Sequence, residues 1–199
     1  GKDYLFVADD QAVYVLDRTG NIRVAHQEPL MKAPGSVARL TAEDEPSIIF
    51  SALDGATVRL LFDGTVKKDT IRGISASHRS EFGDIDGDDV TDRLTVDQGV
   101  LRAIDGSGHE MWRYSAGGGE VTGPWIVSTG TDERRIAIYD TGKGMLHLIG
   151  RNGASVSGFP RPAGPLFNTG KVSNKSTWNL ISVEDEIYLC NHELNSGSK

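Results

Sequence analysis

Apolar and polar positions alternate along this chain in short runs broken by turns. Tyr4-Leu5-Phe6-Val7-Ala8 is a first apolar run, Asp9-Asp10-Gln11 interrupts it, and Ala12 to Leu16 is a second, closed by Asp17-Arg18-Thr19-Gly20. Ile22 to Gln27 alternates weakly, and Pro29, Pro34 and Gly35 then mark a longer loop. Period-two runs bounded by Gly and Asp predict strand, tight turn, strand, turn, strand. The order returns at Ser47–Phe50, Thr57–Phe62 and the turn Asp63-Gly64, and again at Leu94–Val96, Val100–Ile104 and Asp105-Gly106-Ser107-Gly108. It returns at Arg135–Tyr139, Met145–Ile149 and Arg151-Asn152-Gly153, and in part at Trp178–Val183 and Glu186–Cys190.

The closing glycines Gly20, Gly64, Gly108 and Gly153 are spaced 44, 44 and 45 residues apart. A period in the forties built from short strands is a propeller signature, because each blade buries its faces only against its neighbours. No stretch carries the 3.6-residue period of a helical solenoid. The remaining strand of each copy is expected at Ser36–Thr41, Ile74–Phe82, Val121–Ser128 and Phe167–Val172, lining a central channel. The expected fold is therefore an all-β propeller of four to five blades of four-stranded antiparallel sheets, with copies at about residues 1–28, 35–70, 73–115, 120–160 and 163–195. The first copy lacks an inner strand and the last an outer one, so the two ends do not complete a single blade. This predicts a segment of a longer propeller, or self-association through open blade edges.

The formal net charge of −7 argues against nucleic acid as a partner, and no apolar run is long enough for membrane insertion. Cys190, the only cysteine, falls in the run Ile187-Tyr188-Leu189-Cys190 and is expected to be a buried thiol. His26, His78, His109, His147 and His192 are scattered without HxH or HxxxH pairing, and no nucleophile elbow or phosphate-binding loop is present. The chain is therefore expected not to be an enzyme.

One loop carries candidate chemistry. In Asp84-Ile85-Asp86-Gly87-Asp88-Asp89-Val90-Thr91-Asp92, carboxylates fall at loop positions 1, 3, 5 and 9. A loop coiled round an ion turns alternate side chains inward, so Asp84, Asp86, Asp88 and Asp92 could converge on calcium with the Val90 carbonyl. The alternative is a solvated acidic turn. The twelfth position is Thr95 and a strand follows, which excludes an EF-hand.

Phe82-Gly83 followed by this loop and a strand resembles the FG-GAP/VCBS repeats of integrin-alpha-like propellers. The departure is Asp89, where the family has Gly. The turns Asp17–Gly20 and Asp105–Gly108 and the triplet Gly158-Phe159-Pro160 are similar to other positions of those repeats, and Trp112 is similar to the tryptophan of quinoprotein-type repeats. The resemblance implies one structural calcium ion and a non-catalytic binding or scaffolding module of a larger extracellular, periplasmic or cell-surface protein. A protein or glycan ligand is expected on the loop face. A further expectation concerns the second-to-third-strand turns, with Asp9, Asp10, Asp54, Asp97, Asp140, Glu184 and Asp185, which would form an acidic rim unless the acids serve their turns. The rival reading is an enzyme domain such as a propeller-type polysaccharide lyase or hydrolase, which a cluster of titratable groups at the channel mouth would favour.

Overall fold

The structure, a computed structural model, describes residues 4–8, 13–26, 30–41, 45–128, 134–170, 178–183 and 192–194. These form five antiparallel sheets of three or four strands, each pairing in chain order. The first contains β1 (Tyr4–Ala8), β2 (Val13–Asp17) and β3 (Ile22–His26). The second contains β4 (Arg39–Thr41), β5 (Ser47–Ser51), β6 (Thr57–Leu61) and β7 (Val66–Asp69). The third contains β8 (Arg79–Gly83), β9 (Asp92–Asp97), β10 (Val100–Ile104) and β11 (Glu110–Ser115). The fourth contains β12 (Val121–Ser128), β13 (Arg134–Asp140), β14 (Met145–Gly150) and β15 (Arg161–Pro162). The fifth contains β16 (Leu166–Gly170), β17 (Trp178–Val183) and β18 (His192–Leu194). Successive meandering sheets of this kind are the blades of an all-β propeller. Among the described residues no helix is long and apolar enough to cross a membrane.

Three strands differ from expectation, the inner strand of the second blade beginning at Arg39 rather than Ser36. The inner strand of the third blade starts at Arg79 rather than at residue 74, because residues 74–78 are held in a turn. Asp97 accepts hydrogen bonds from Ser75 N and Oγ there, and His78 N donates to Ser75 O. The run 186–190 lies outside the described residues, and the strand that pairs with β17 is β18. Cys190 also lies outside them. Gly158-Phe159-Pro160 sits immediately before the short outer strand β15 rather than ending it.

The turn between the third and fourth strands repeats with one chemistry. Asp17 Oδ1 accepts from Thr19 N, Asp63 Oδ1 from Thr65 N, Asp105 Oδ1 from Ser107 N and Asn152 Oδ1 from Ala154 N. The glycine that closes each turn has φ between +79° and +91°, the left-handed region where Gly carries no penalty. Four turns of one geometry at a constant spacing explain the period seen in the sequence.

Three clusters of buried apolar residues fill the seams between blades. Val13, Val15 and Val24 of the first blade meet Phe50, Val58 and Leu60 of the second. Leu94, Val96 and Leu101 of the third meet Ile136, Ile138 and Ile149 of the fourth. Leu146 and Leu148 of the fourth meet Leu180 of the fifth. None of these clusters bridges the second and third blades. That seam mixes buried Ile49, Phe82 and Ile104 with Ser51, Ser80, Arg93 and Thr95.

Arg93 is the centre of the mixed seam. It is 3% exposed. Its Nε donates to Thr95 Oγ1 (2.8 Å) and Ser80 Oγ (3.2 Å) on its own blade. Its Nη1 donates to Gly55 O (2.8 Å) and Thr57 Oγ1 (3.0 Å), and its Nη2 to Ser51 Oγ (2.7 Å), all on the second blade. Every one of these partners is neutral. Burial lowers the guanidinium to about 10.

The second, third and fourth blades are also each tied to the link that leads into them. Leu53 N donates to Met31 O, Asp97 accepts from Ser75, and Thr141 N donates to Glu120 O. Among the described residues, the acids of these turns serve their own turns, links and neighbouring lysines. Asp54 accepts from Lys68 Nζ (2.7 Å) and Ala56 N (3.1 Å). Asp140 is fully buried, with Lys143 Nζ 3.0 Å from Oδ2. Asp9, Asp10, Glu184 and Asp185 lie outside the described residues.

Candidate cation loop

The acidic loop joins β8 to β9 at the end of the third blade. Its backbone is coiled by its own carboxylates. Asp84 Oδ1 accepts from Gly87 N (2.7 Å), Asp86 Oδ1 from Asp88 N (3.2 Å) and Asp88 Oδ1 from Val90 N (2.8 Å). Two residues take positive φ, Gly87 at +94° and Asp89 at +66°. Asp is among the non-glycine residues that tolerate this region, so the loop keeps its coil where the family resemblance has Gly.

The coil gathers Asp84, Asp86 and Asp88, with one carboxylate oxygen of each within 4.8 Å of the others. Asp84 is half-buried and the other two are exposed. Asp92, the first residue of β9, is not gathered into this cluster and is 1% exposed. Its Oδ2 accepts from Ile85 N (2.7 Å), while Oδ1 is buried without a hydrogen-bond partner. Burial pushes the Asp92 carboxyl up to about 6, the Ile85 N–H works against this, and the charges of Asp86 and Asp88 add to it. Val90 is 39% exposed and its side chain lies over Gly106 in the neighbouring turn.

This donor set fits a hard divalent cation. Three clustered carboxylates present only oxygen, and the same loop ends in a buried carboxylate oxygen with no partner. Such a set repels itself in the absence of positive charge, and calcium takes six to eight oxygens at ~2.3–2.6 Å. Positive charge already reaches the loop from the fourth blade. Arg134 Nη1 donates to the Asp84 carbonyl and lies 3.4 Å from Asp84 Oδ2. Arg151 lies beside Gly87 and, with Arg134, walls a small cleft over the loop. Residue-by-residue reading gives no signal for this, since Arg134 and Asp84 lie 50 residues apart in sequence. Arg93 was also missed, because its role arises only when two blades meet.

The inner strands carry one ion pair near this end, Arg39 Nη2 to Glu81 Oε1 at 2.5 Å, with Glu81 buried. His78 and His147 are both buried between blades rather than at the channel. His147 Nδ1 lies 2.9 Å from Tyr114 OH.

No family model matches this sequence, and no curated protein sequence matches it. Solved structures do share its fold. BBS1N in complex with ARL6DN aligns with a TM-score of 0.58 at 17% identity, over 90% of this chain and 57% of that one. Virginiamycin B lyase from Staphylococcus aureus aligns with a TM-score of 0.58 at 13% identity, over 98% of this chain and 67% of that one. Dihydro-heme d1 dehydrogenase NirN, in complex with DHE, aligns with a TM-score of 0.54 at 13% identity, over 98% of this chain and 46% of that one. The chain is a β-propeller protein, and it spans only part of the length of these structures. The comparison corrects the expectation that it is not an enzyme. Both a lyase and a dehydrogenase are built on this fold, so the missing nucleophile motif and scattered histidines do not exclude catalysis.

Proposed function

We propose that this chain is a calcium-loaded binding propeller of the FG-GAP/VCBS type, exported or displayed at a cell surface, whose loop face engages a protein or glycan ligand. The observation that carries this reading is the convergence of Asp84, Asp86 and Asp88 in a loop that ends at the buried Asp92. These four would hold the ion with the Val90 carbonyl. Bound calcium supplies positive charge that relieves carboxylate repulsion and fixes the loop. The blade then presents that loop on a rigid support, the arrangement that most binding loops use.

Phe82-Gly83 ahead of the loop and β9 directly after it support the repeat type. Extracellular modules of this chemistry bind calcium at ~10⁻⁴–10⁻³ M, which supports an exported location. The BBS1N–ARL6DN complex supports a protein ligand, since there the same fold is found with a protein partner.

Calorimetry with calcium, together with thermal melting in calcium and in chelator, tests the reading. Calcium should bind one-to-one and raise the melting temperature, a hundredfold excess over the dissociation constant being worth ~2.7 kcal/mol. Asp86→Ala should abolish that gain and leave melting in chelator nearly unchanged. Absence of calcium uptake, with one melting curve in both buffers, would reduce the loop to an acidic turn.

A further inference from the structure

The seam between the second and third blades encloses a cleft of about 560 Å³, within the ~300–1,000 Å³ range of small-molecule sites. Three arginines line it: Arg59 from β6, Arg72 from the link after β7, and Arg93 from β9. Asp69 and Asp105 are the acids of the lining. Asp105 is committed to its own turn, where Oδ1 takes Ser107 N, Ser107 Oγ and His109 N at 2.9, 2.6 and 2.8 Å. The wall is otherwise mixed, with Phe82 fully buried.

Arg93 makes this cleft unusual. A guanidinium taken out of water ordinarily finds a carboxylate, because an unpaired buried charge is strongly destabilising. Arg93 is buried among hydroxyls and one carbonyl instead. Its charge is hydrogen-bonded but not neutralised, and it lies in the wall of an open cleft with two further arginines.

We propose that the cleft between the second and third blades binds a small oxyanion group, phosphate, sulfate or carboxylate, held by Arg72 at the exposed edge and neutralised by Arg93. Planar guanidinium forks match such groups in pairs of parallel hydrogen bonds, which a point-charge lysine does not reproduce. None of the three arginines is among the side chains proposed to hold calcium, although Thr91 of the acidic loop also lines the cleft and Arg93 directly follows Asp92.

The test is titration of the intact chain in chelator, at constant ionic strength, with inorganic phosphate, sulfate and galacturonate. Binding is read by calorimetry and by the chemical shifts of arginine Nε–H groups. The expected result is saturable one-to-one binding of at least one probe, with the Arg93 Nε–H resonance moving. The tightest probe then assigns tetrahedral oxyanion or carboxylate. Arg72→Ser, at an exposed position, should weaken binding by about tenfold or more without altering the fold, the usual effect of losing a charge-assisted bond. Arg93→Gln should abolish binding, and circular dichroism checks that this variant folds. Failure of all three probes to saturate, or equal binding by Arg72→Ser, overturns the proposal. Because chelator is present throughout, its outcome does not depend on the calcium reading.

Discussion

Arg93 Nη2 donates to Ser51 Oγ at 2.7 Å, from the third blade to the second, and Ser51 in turn stands 2.6 Å from His78 Nε2. His78 Nδ1 lies 2.6 Å from the Ser75 carbonyl, which can only accept, so Nδ1 carries the proton and Nε2 accepts from Ser51. A guanidinium, a hydroxyl and a neutral imidazole thus form one relay of hydrogen bonds across the seam. Arg93→Met removes its head and leaves the Gly55 carbonyl and several buried hydroxyls to find new partners. Unfolding in urea should show a loss on the order of 3 kcal/mol. A loss below about 1 kcal/mol would mean that the seam is held by its apolar residues alone.

The same relay sets a pH dependence. Burial lowers the pKa of His78, the Ser75 carbonyl works against this, and the Arg93 charge adds to the lowering. Burial also lowers His147, with Asp140 opposing and Lys143 adding. A histidine whose folded pKa is depressed keeps its full contribution above the unfolded value, ~6.5. That contribution is lost as pH falls from there through the folded value, because the unfolded chain takes up a proton that the fold refuses. Asp92, raised to about 6, takes up a proton in the fold as pH falls through that value and offsets part of this loss, so the melting temperature should fall by a degree or more between pH 7.5 and 5.5, at ~2–4 °C per kcal/mol. His78→Gln should flatten part of that fall. An equal slope in the variant would assign it elsewhere.

Gly153 and Gly20 close equivalent turns at φ +79° and +83°, but only Gly153 has a neighbour. The Trp112 indole donates from Nε1 to Arg151 O at 2.7 Å, and a methyl group on Gly153 would stand 2.8 Å from its ring atoms. Around Gly20 nothing lies within 4 Å. Gly20→Ala should lose only the backbone term, ~1–2 kcal/mol, and Gly153→Ala ~1–3 kcal/mol more. Equal losses would show that Trp112 moves aside freely.

Under the calcium reading proposed above, Arg134 would compete with the cation for Asp84. Removing it in Arg134→Ala withdraws one positive charge from 3.4 Å away. Half-exposed pairs of this kind are worth up to ~1 kcal/mol, so calorimetry should show calcium bound roughly two- to fivefold more tightly. Weaker calcium binding would mean that Arg134 orders the loop rather than competing with the ion.

Much of this architecture was legible because it is local. The Asp17, Asp63, Asp105 and Asn152 turns write the period directly into the sequence, and the strands between them alternate as pleated sheets require. The loop from Asp84 to Asp92 was legible for the same reason, since its coil is closed by hydrogen bonds spanning two or three residues. What escaped is the chemistry between blades. Arg93 reaches partners up to 42 residues away, and Arg134 reaches Asp84 across 50. No window along the chain holds both ends of such a contact. The acids of the second-to-third-strand turns could be read two ways from sequence, as a rim or as turn chemistry; of those described, Asp97 is spent on the link beside it and Asp140 on its own turn.

Blades made to one plan carry a hazard in assembly, since any blade can offer its face to any other. A seam of valines and leucines accepts whatever neighbour has the right shape. The seam between the second and third blades does not, because three acceptors of the second blade, Gly55 O, Thr57 Oγ1 and Ser51 Oγ, must meet one guanidinium of the third in register. A wrong neighbour there would strand a buried charge. A wrong pairing at this seam would therefore leave the Arg93 head short of partners. A variant lacking it should be the one in which repeats exchange between chains, giving swapped dimers on refolding at high concentration.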